Sequence, residues 1–99
     1  MVQQSARAVV STQNGQKYVT QLCKHWSHKA GTTIDEAQGT IVFENGNHVA
    51  FGVAPNQLTV IASTPSDGDL VHWQNVVENH LKRFAFREEF SLVWSTGEV

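Results

Sequence analysis

Long apolar runs, a second cysteine and a surplus of charge of one sign are all missing from this 99-residue chain. Each absence closes off a class of protein. No apolar stretch approaches the ~20 residues that a membrane-spanning helix requires. A single cysteine rules out an internal disulfide and suits a reducing, cytoplasmic setting. A formal net charge of −2, with only 16% charged residues, gives no global pull toward nucleic acid or an anionic membrane. The opening stretch, MVQQSARAVV, has neither a long apolar segment nor a cleavage signature, so no signal peptide is read there. Internal repeats and low-complexity tracts are also missing, as are a Gly-x-Ser-x-Gly elbow, a Walker loop and a His-Glu-x-x-His pair. No catalytic residue is nominated.

What is present fits one domain over residues 1–99, large enough to bury roughly two-thirds of its unfolded surface. Residues 5–11, SARAVVS, alternate and predict a first strand with Ala6, Ala8 and Val10 on its inner face. Thr12 offers an N-cap oxygen for a helix running to about Lys29, with Gly31 as its stop. Along that helix Tyr18, Val19, Leu22, Cys23 and Trp26 fall on one arc, the buried stripe. The period then changes to two. GTIVFENGNHVAFGV predicts a hairpin in which Ile41 and Phe43 lead into an Asn45-Gly46 turn with positive φ, and Val49, Phe51 and Val53 return. Pro55-Asn56 make the next turn, and NQLTVIAS continues with Leu58, Val60 and Ala62 on one face. The segment around TTIDEA leaves room for one more short strand.

Ser66 is the expected N-cap of a second helix, with Asp69 favouring its positive end. Leu70, Trp73, Val77, Leu81 and Phe84 recur at steps of three and four, and the helix is expected to end near Arg87-Glu88. EFSLVWS closes the chain as a strand. The order β-α-β-β-β-α-β predicts an α+β fold, a mostly antiparallel sheet with two helices packed on one face. Val9, Val42, Ile61 and Val93 fall on the outer face, which makes a homodimer one of the expected assemblies.

Chemistry gathers on the two helix flanks. If the helices pack side by side, His25, His28 and Lys29 face His80, Arg83 and Arg87 across one groove. Three chemistries fit those residue types. Arginine forks and imidazoles suit an anion such as a carboxylate or phosphate; without a glycine-rich loop, side chains have to hold it. His25 and His28 at i, i+3 can share a metal ion with His80, and Cys23, Asp35 or Glu36 are remote further ligands. The neighbouring Lys24, Lys29 and Arg83 disfavour a divalent ion, although as an axial-histidine haem site the same cations would pair with propionates. Acid–base or thiol chemistry is the third. Cys23 and His25 diverge by about 200° on a helix and cannot pair, which leaves Cys23 with His80 across the helix interface.

Each residue also has a structural reading. His80 can be a core histidine bonded to a backbone carbonyl or near Glu88. His28 and Lys29 suit the negative end of the first helix, and Arg83 and Arg87 suit surface pairs with Glu36, Glu44 or Glu88. Trp26, Trp73 and Trp94 suit the core, and Cys23 reads as a small buried hydrophobe.

Two stretches, YVTQLCKHWSHK at 18–29 and HLKRFAFREEFSLVW at 80–94, resemble the signature blocks of the bacterial family labelled domain of unknown function 2218. The spacing through GTIVFENG and LTVIAS fits as well, so the resemblance covers nearly the whole chain. On it, the recurring residues are Leu22, Lys24, His25, His28 and Lys29, then His80, Leu81, Arg83, Phe84, Phe86, Arg87 and Glu88. Cys23 also matches, while Trp26 stands where other aromatic residues are common. The family has no established activity. The resemblance implies an association with proteins encoded beside, or joined to, siderophore-interacting flavin reductases and other iron-uptake functions.

Three expectations follow. The first is a non-catalytic module binding an anionic ligand (a ferric siderophore or haem-like molecule) in iron handling, through His25, His28, Lys29, His80, Arg83 and Arg87. The second is a histidine-based metalloprotein or enzyme, with His25, His28 and His80 as the metal candidates. The third is an interaction domain that docks on a partner reductase. No cofactor is assigned.

Overall fold

The computed structural model describes residues 4–28, 30–34, 38–65, 68–84 and 92–96. In chain order these form β1 (Gln4–Val10), α1 (Gly15–Trp26), β2 (Ala30–Ile34), β3 (Gln38–Phe43), β4 (His48–Ala54), β5 (Gln57–Thr64), α2 (Leu70–Phe84) and β6 (Ser95–Thr96). The strands make one sheet in the order β2-β3-β4-β5-β1-β6, with every neighbouring pair antiparallel. The α+β class and the antiparallel sheet agree with the sequence; the element order does not. A fourth strand stands between the helices, so the chain runs β-α-β-β-β-β-α before the two-residue β6.

The added strand is β2, and its physical signature is faint. It is an edge strand with half-buried and exposed positions, so little period-two signal separates its faces. Gly31 lies inside it and is not a helix stop. The helix ends three residues early, at Trp26, where the Ser27 hydroxyl and N–H both donate to the Lys24 carbonyl. It also starts late, at Gly15. Thr12 Oγ1 accepts the Asn14 N–H at 3.0 Å in the turn before the helix, and no side chain caps the helix itself.

Alternation explains the strands that the sequence made plain. Ala6, Ala8 and Val10 face inward as expected, and β1 is registered on β5 from Gln4↔Thr64 to Val10↔Leu58. Ile41 pairs with Val49 across the β3–β4 hairpin. Its turn is longer than two residues: Phe43 N–H donates to Asn47 O, Gly46 N–H donates to Phe43 O, and Asn45 Oδ1 accepts the Asn47 N–H. Among the described residues Gly46 alone takes a positive φ, 95°, and a Cβ there would meet Pro65 Cγ at 2.6 Å. Ala54 and Gln57 close the β4–β5 turn around Pro55-Asn56.

The helices share one face of the sheet, α1 over β2, β3 and β4 and α2 over β5 and β1. Tyr18, Val19, Leu22, Cys23 and Trp26 are buried, the stripe predicted for α1. On α2, Leu70, Trp73, Val77 and Leu81 are buried and Phe84 is partly so. Gly39 lets α1 come close to β3, since a Cβ there would lie 2.6 Å from Val19 Cγ1. The expected Ser66 cap lies outside the described residues. Asp69 does that work instead, with its Oδ1 accepting the His72 N–H at 3.0 Å and its carbonyl accepting the Trp73 N–H.

The expected end of α2 at Arg87-Glu88 and the start of the closing strand also lie outside the described residues. The described part of that strand differs from expectation. Leu92 is buried and Trp94 half-buried, yet only Ser95 and Thr96 pair, with Arg7 and Ala6 of β1. Apolar alternation there reflects packing against the helix layer rather than a long ladder. Among the described residues, no helix is long and apolar enough to cross a membrane.

Candidate functional site

Where the C-terminal end of α1 meets the middle of α2, three large rings form a layer. Trp26 and Trp73 are buried with centroids 5.8 Å apart, and Phe43 meets them edge-on at 5.3 and 5.2 Å. Edge-to-face contacts of this kind suit the ring quadrupoles and add to the burial gain. Trp73 is further fixed by its Nε1–H, which donates to the His48 carbonyl at 2.9 Å. The layer is rigid because three elements contribute to it.

Two histidines stand on it. The His80 ring lies 4.8 Å from Trp26, and the His25 ring lies 5.1 Å from His80 at an interplanar angle of 52°. Phe84, one turn after His80, meets His25 edge-on at 5.9 Å. His80 is half-buried and His25 exposed, so the pair sits at the mouth of the helix seam. His80 Nδ1 lies 2.7 Å from the Val76 carbonyl. A carbonyl can only accept, so Nδ1 carries the proton. In the neutral ring Nε2 then presents a lone pair; in the imidazolium it presents a second N–H.

Of the six residues expected to line one groove, the structure places some and not others. The structure brings His25 and His80 together. His28 is exposed in the turn beyond the end of α1, so the helical projection that placed it beside His25 no longer holds. His25, His28 and His80 do not gather as a metal site: among the described residues, no group of three or more His, Cys, Asp or Glu could hold an ion. Arg83 is exposed in the last turn of α2. Lys29 and Arg87, like Asp35 and Glu36, lie outside the described residues. The carbonyl partner expected for a structural His80 is present, as Val76.

Cys23 is buried beneath α1, facing Gly39, and desolvation pushes its thiol above the usual range. A thiol in that state is a poor nucleophile. Glu78 had drawn no attention in the sequence. It pairs with Lys82 at 3.1 Å and accepts the Trp94 Nε1–H at 3.2 Å, tying the C-terminal segment to α2. The meeting of Trp26, Trp73 and Phe43 in one layer was also not read from the sequence, although both tryptophans were expected in the core.

An open depression of about 440 Å³ lies at the other end of α1, lined by Ser11, Thr12, Gln13, Asn14 and Asn56. Some of its polar groups are bonded to one another: Gln13 Nε2–H donates to Asn56 Oδ1, and the Thr12 N–H donates to the Asn56 carbonyl. Those bonds close a loop, and the histidine pair, where titratable side chains meet, is taken as the candidate site.

Comparison with known proteins adds two findings. A family model described as an uncharacterized protein conserved in bacteria, DUF2218, matches residues 7–95, which include both histidines. The NMR structure of PA4090 from Pseudomonas aeruginosa superposes with a TM-score of 0.75 at 32% identity, covering 93% of this chain and 95% of that one. No curated protein matches the chain.

Proposed function

The chain belongs to the DUF2218 family of bacterial proteins, and we propose that it acts as a non-catalytic module that binds an anionic ligand at the α1–α2 seam. The observation that carries this reading is the His25–His80 pair, 5.1 Å apart on an aromatic floor. Two imidazolium charges about 5 Å apart repel by roughly 1–3 kcal/mol between a water-like and a surface-like dielectric. An anion between them converts that repulsion into two charge-assisted hydrogen bonds. Arg83, at the end of α2, adds a guanidinium on the same flank, and Lys29 and Arg87 complete the proposed set. The iron part of the reading, a ferric siderophore or haem-like ligand, rests on the family resemblance. The anion part rests on the histidines.

Imidazole is the side chain whose charge changes between about pH 5 and 8. An anion favours the imidazolium form of the rings that hold it, so binding at this pair is coupled to proton uptake. A second reading, a histidine metalloprotein, is favoured by one detail. The His80 Nδ1–H on a carbonyl, with a lone pair at Nε2, is how metal-ligating histidines are commonly oriented. Docking on a partner reductase is the third, and would use the same exposed flank.

An NMR titration of the metal-stripped protein separates the three. The probes are sulfate, phosphate, haem, a ferric hydroxamate, zinc and ferrous iron. We expect an anionic probe to shift the His25 and His80 imidazoles together, more strongly at pH 6 than at pH 8. A response to zinc or ferrous iron alone, stronger at pH 8, transfers the site to the metal reading. Silence to every probe removes both.

A further inference from the structure

The face of the sheet turned away from the helices carries a compact group of polar side chains. By pleat and register, Ser5 of β1, Ser63 of β5 and His48 of β4 stand in one row across neighbouring strands, with Ser63 in the middle. Ser5 Oγ and Ser63 Oγ lie 2.9 Å apart. Ser63 is only 3% exposed, whereas Ser5 is exposed and His48 half-buried. Arg7 follows Ser5 by two residues on the same strand, so it belongs to the same face, and it is exposed. Its register partners are Ile61 and Ser95. Val42, opposite His48 on β3, bounds the row on the other side.

Each of these four polar groups has a proton to donate. Two bonded hydroxyls hold two protons and place one between them, which leaves the second for another acceptor. A neutral imidazole donates from one nitrogen, an imidazolium from both, and a guanidinium can only donate. No carboxylate is at hand to accept: among the described residues the strands carry no Asp or Glu, and Arg7 makes no ion pair. Glu44 stands beyond the row, in the β3–β4 turn.

We infer that this group is a binding site for the phosphate of a phosphate monoester. Strands ~4.8 Å apart and residues ~3.3 Å apart put the Cα atoms of Arg7 and His48 about 12 Å from each other. That span suits a guanidinium and an imidazole closing from two sides on one tetrahedral oxyanion over the serine pair. The Arg7 fork takes two oxygens, and His48 and the serine hydroxyls take the others. Ile61 and Val9 beside them are 37% and 43% exposed, an apolar shelf for the body of the ester. The sheet itself separates this site from the helix seam, so the two stand or fall independently.

An NMR titration of the full chain with inorganic phosphate and with phenyl phosphate tests the inference, against sodium chloride at equal ionic strength. We expect saturable shifts of Ser5, Arg7, His48 and Ser63 with both phosphates. Phenyl phosphate should bind more tightly and alone add shifts at Val9 and Ile61. Arg7→Gln should weaken binding roughly tenfold or more and Ser63→Ala severalfold, with any response of His25 and His80 unchanged. Should Ser63→Ala fail to fold, Ser5→Ala breaks the same hydroxyl pair at an exposed position. Strand shifts no larger than those in chloride overturn the inference. So do shifts confined to His25 and His80, or strand shifts that Arg7→Gln leaves intact. Equal affinity for the two phosphates overturns the assignment to an ester.

Discussion

At the N-terminal end of α1, Ser11 to Asn14 and Asn56 surround a depression in which Gln13, Thr12 and Asn14 make bonds within the lining. At the C-terminal end, His25 and His80 stand at the surface on a buried aromatic layer. The first region has concavity with part of its polar chemistry turned inward; the second has two imidazoles set by helix packing. Shape and reactivity arise from different causes here. A hollow forms wherever a strand-to-helix turn meets a neighbouring hairpin. A pair of imidazoles at fixed spacing needs two helices whose packing sets both ring positions. The contrast argues for reading this fold by what its side chains can still do rather than by where its surface dips.

The largest test of that contrast removes the floor. Trp73→Ala should cost about 3–5 kcal/mol, because it empties a buried ring volume and leaves the His48 carbonyl without its donor. Chemical denaturation measures it, and a loss under about 1 kcal/mol would mean the aromatic layer does not hold the histidine end rigid. His80→Ala should separate function from fold. Hydrogen bonds to charged groups contribute about 1.5–3 kcal/mol, so anion affinity should fall roughly tenfold or more, while stability changes by only about 1 kcal/mol. Calorimetric titration with sulfate at pH 6 reads the first quantity and thermal melting the second. An unchanged affinity would dissolve the distinction between the two ends. The smallest effect belongs to the hollow. Gln13→Ala removes one exposed 3.3 Å hydrogen bond and should shift stability by no more than about 0.5 kcal/mol, with anion binding unaltered. A large binding loss would move the site to the opposite end of the helix.

Most of the frame could be read from the residues because strong periodicity marks elements that bury one face. The α1 stripe from Tyr18 to Trp26 and the Ile41–Val49 hairpin pair are examples. What was read faintly or missed lacks that marking. β2 is an edge strand with little burial contrast, legible only as room for a short strand around TTIDEA, and Leu92–Trp94 pack without pairing. The site was legible in the same measure. The His25–His80 pair follows from two helical arcs that do face each other. His28 was projected onto a helix that had already ended at Trp26, because the Ser27 bonds to Lys24 O leave no trace in an apolar pattern. Trp26, Phe43 and Trp73 were legible as core. Their meeting as one layer under the histidines depends on three elements distant in sequence, which no local pattern records.

The place of β1 in the sheet also orders events in time. Its register runs from Gln4↔Thr64 to Val10↔Leu58, so its partners lie 60 (64 − 4) down to 48 (58 − 10) residues further along the chain. During synthesis at about 5–20 residues per second, the first strand waits several seconds for β5 to exist. Strands β2 to β5 form a meander of neighbours, whose shorter loops cost less entropy to close. β1 is thus among the last strands to dock, with Ala6, Ala8 and Val10 uncovered meanwhile. A strand that arrives late is also the piece that a crowded solution can most readily lend to a neighbouring chain.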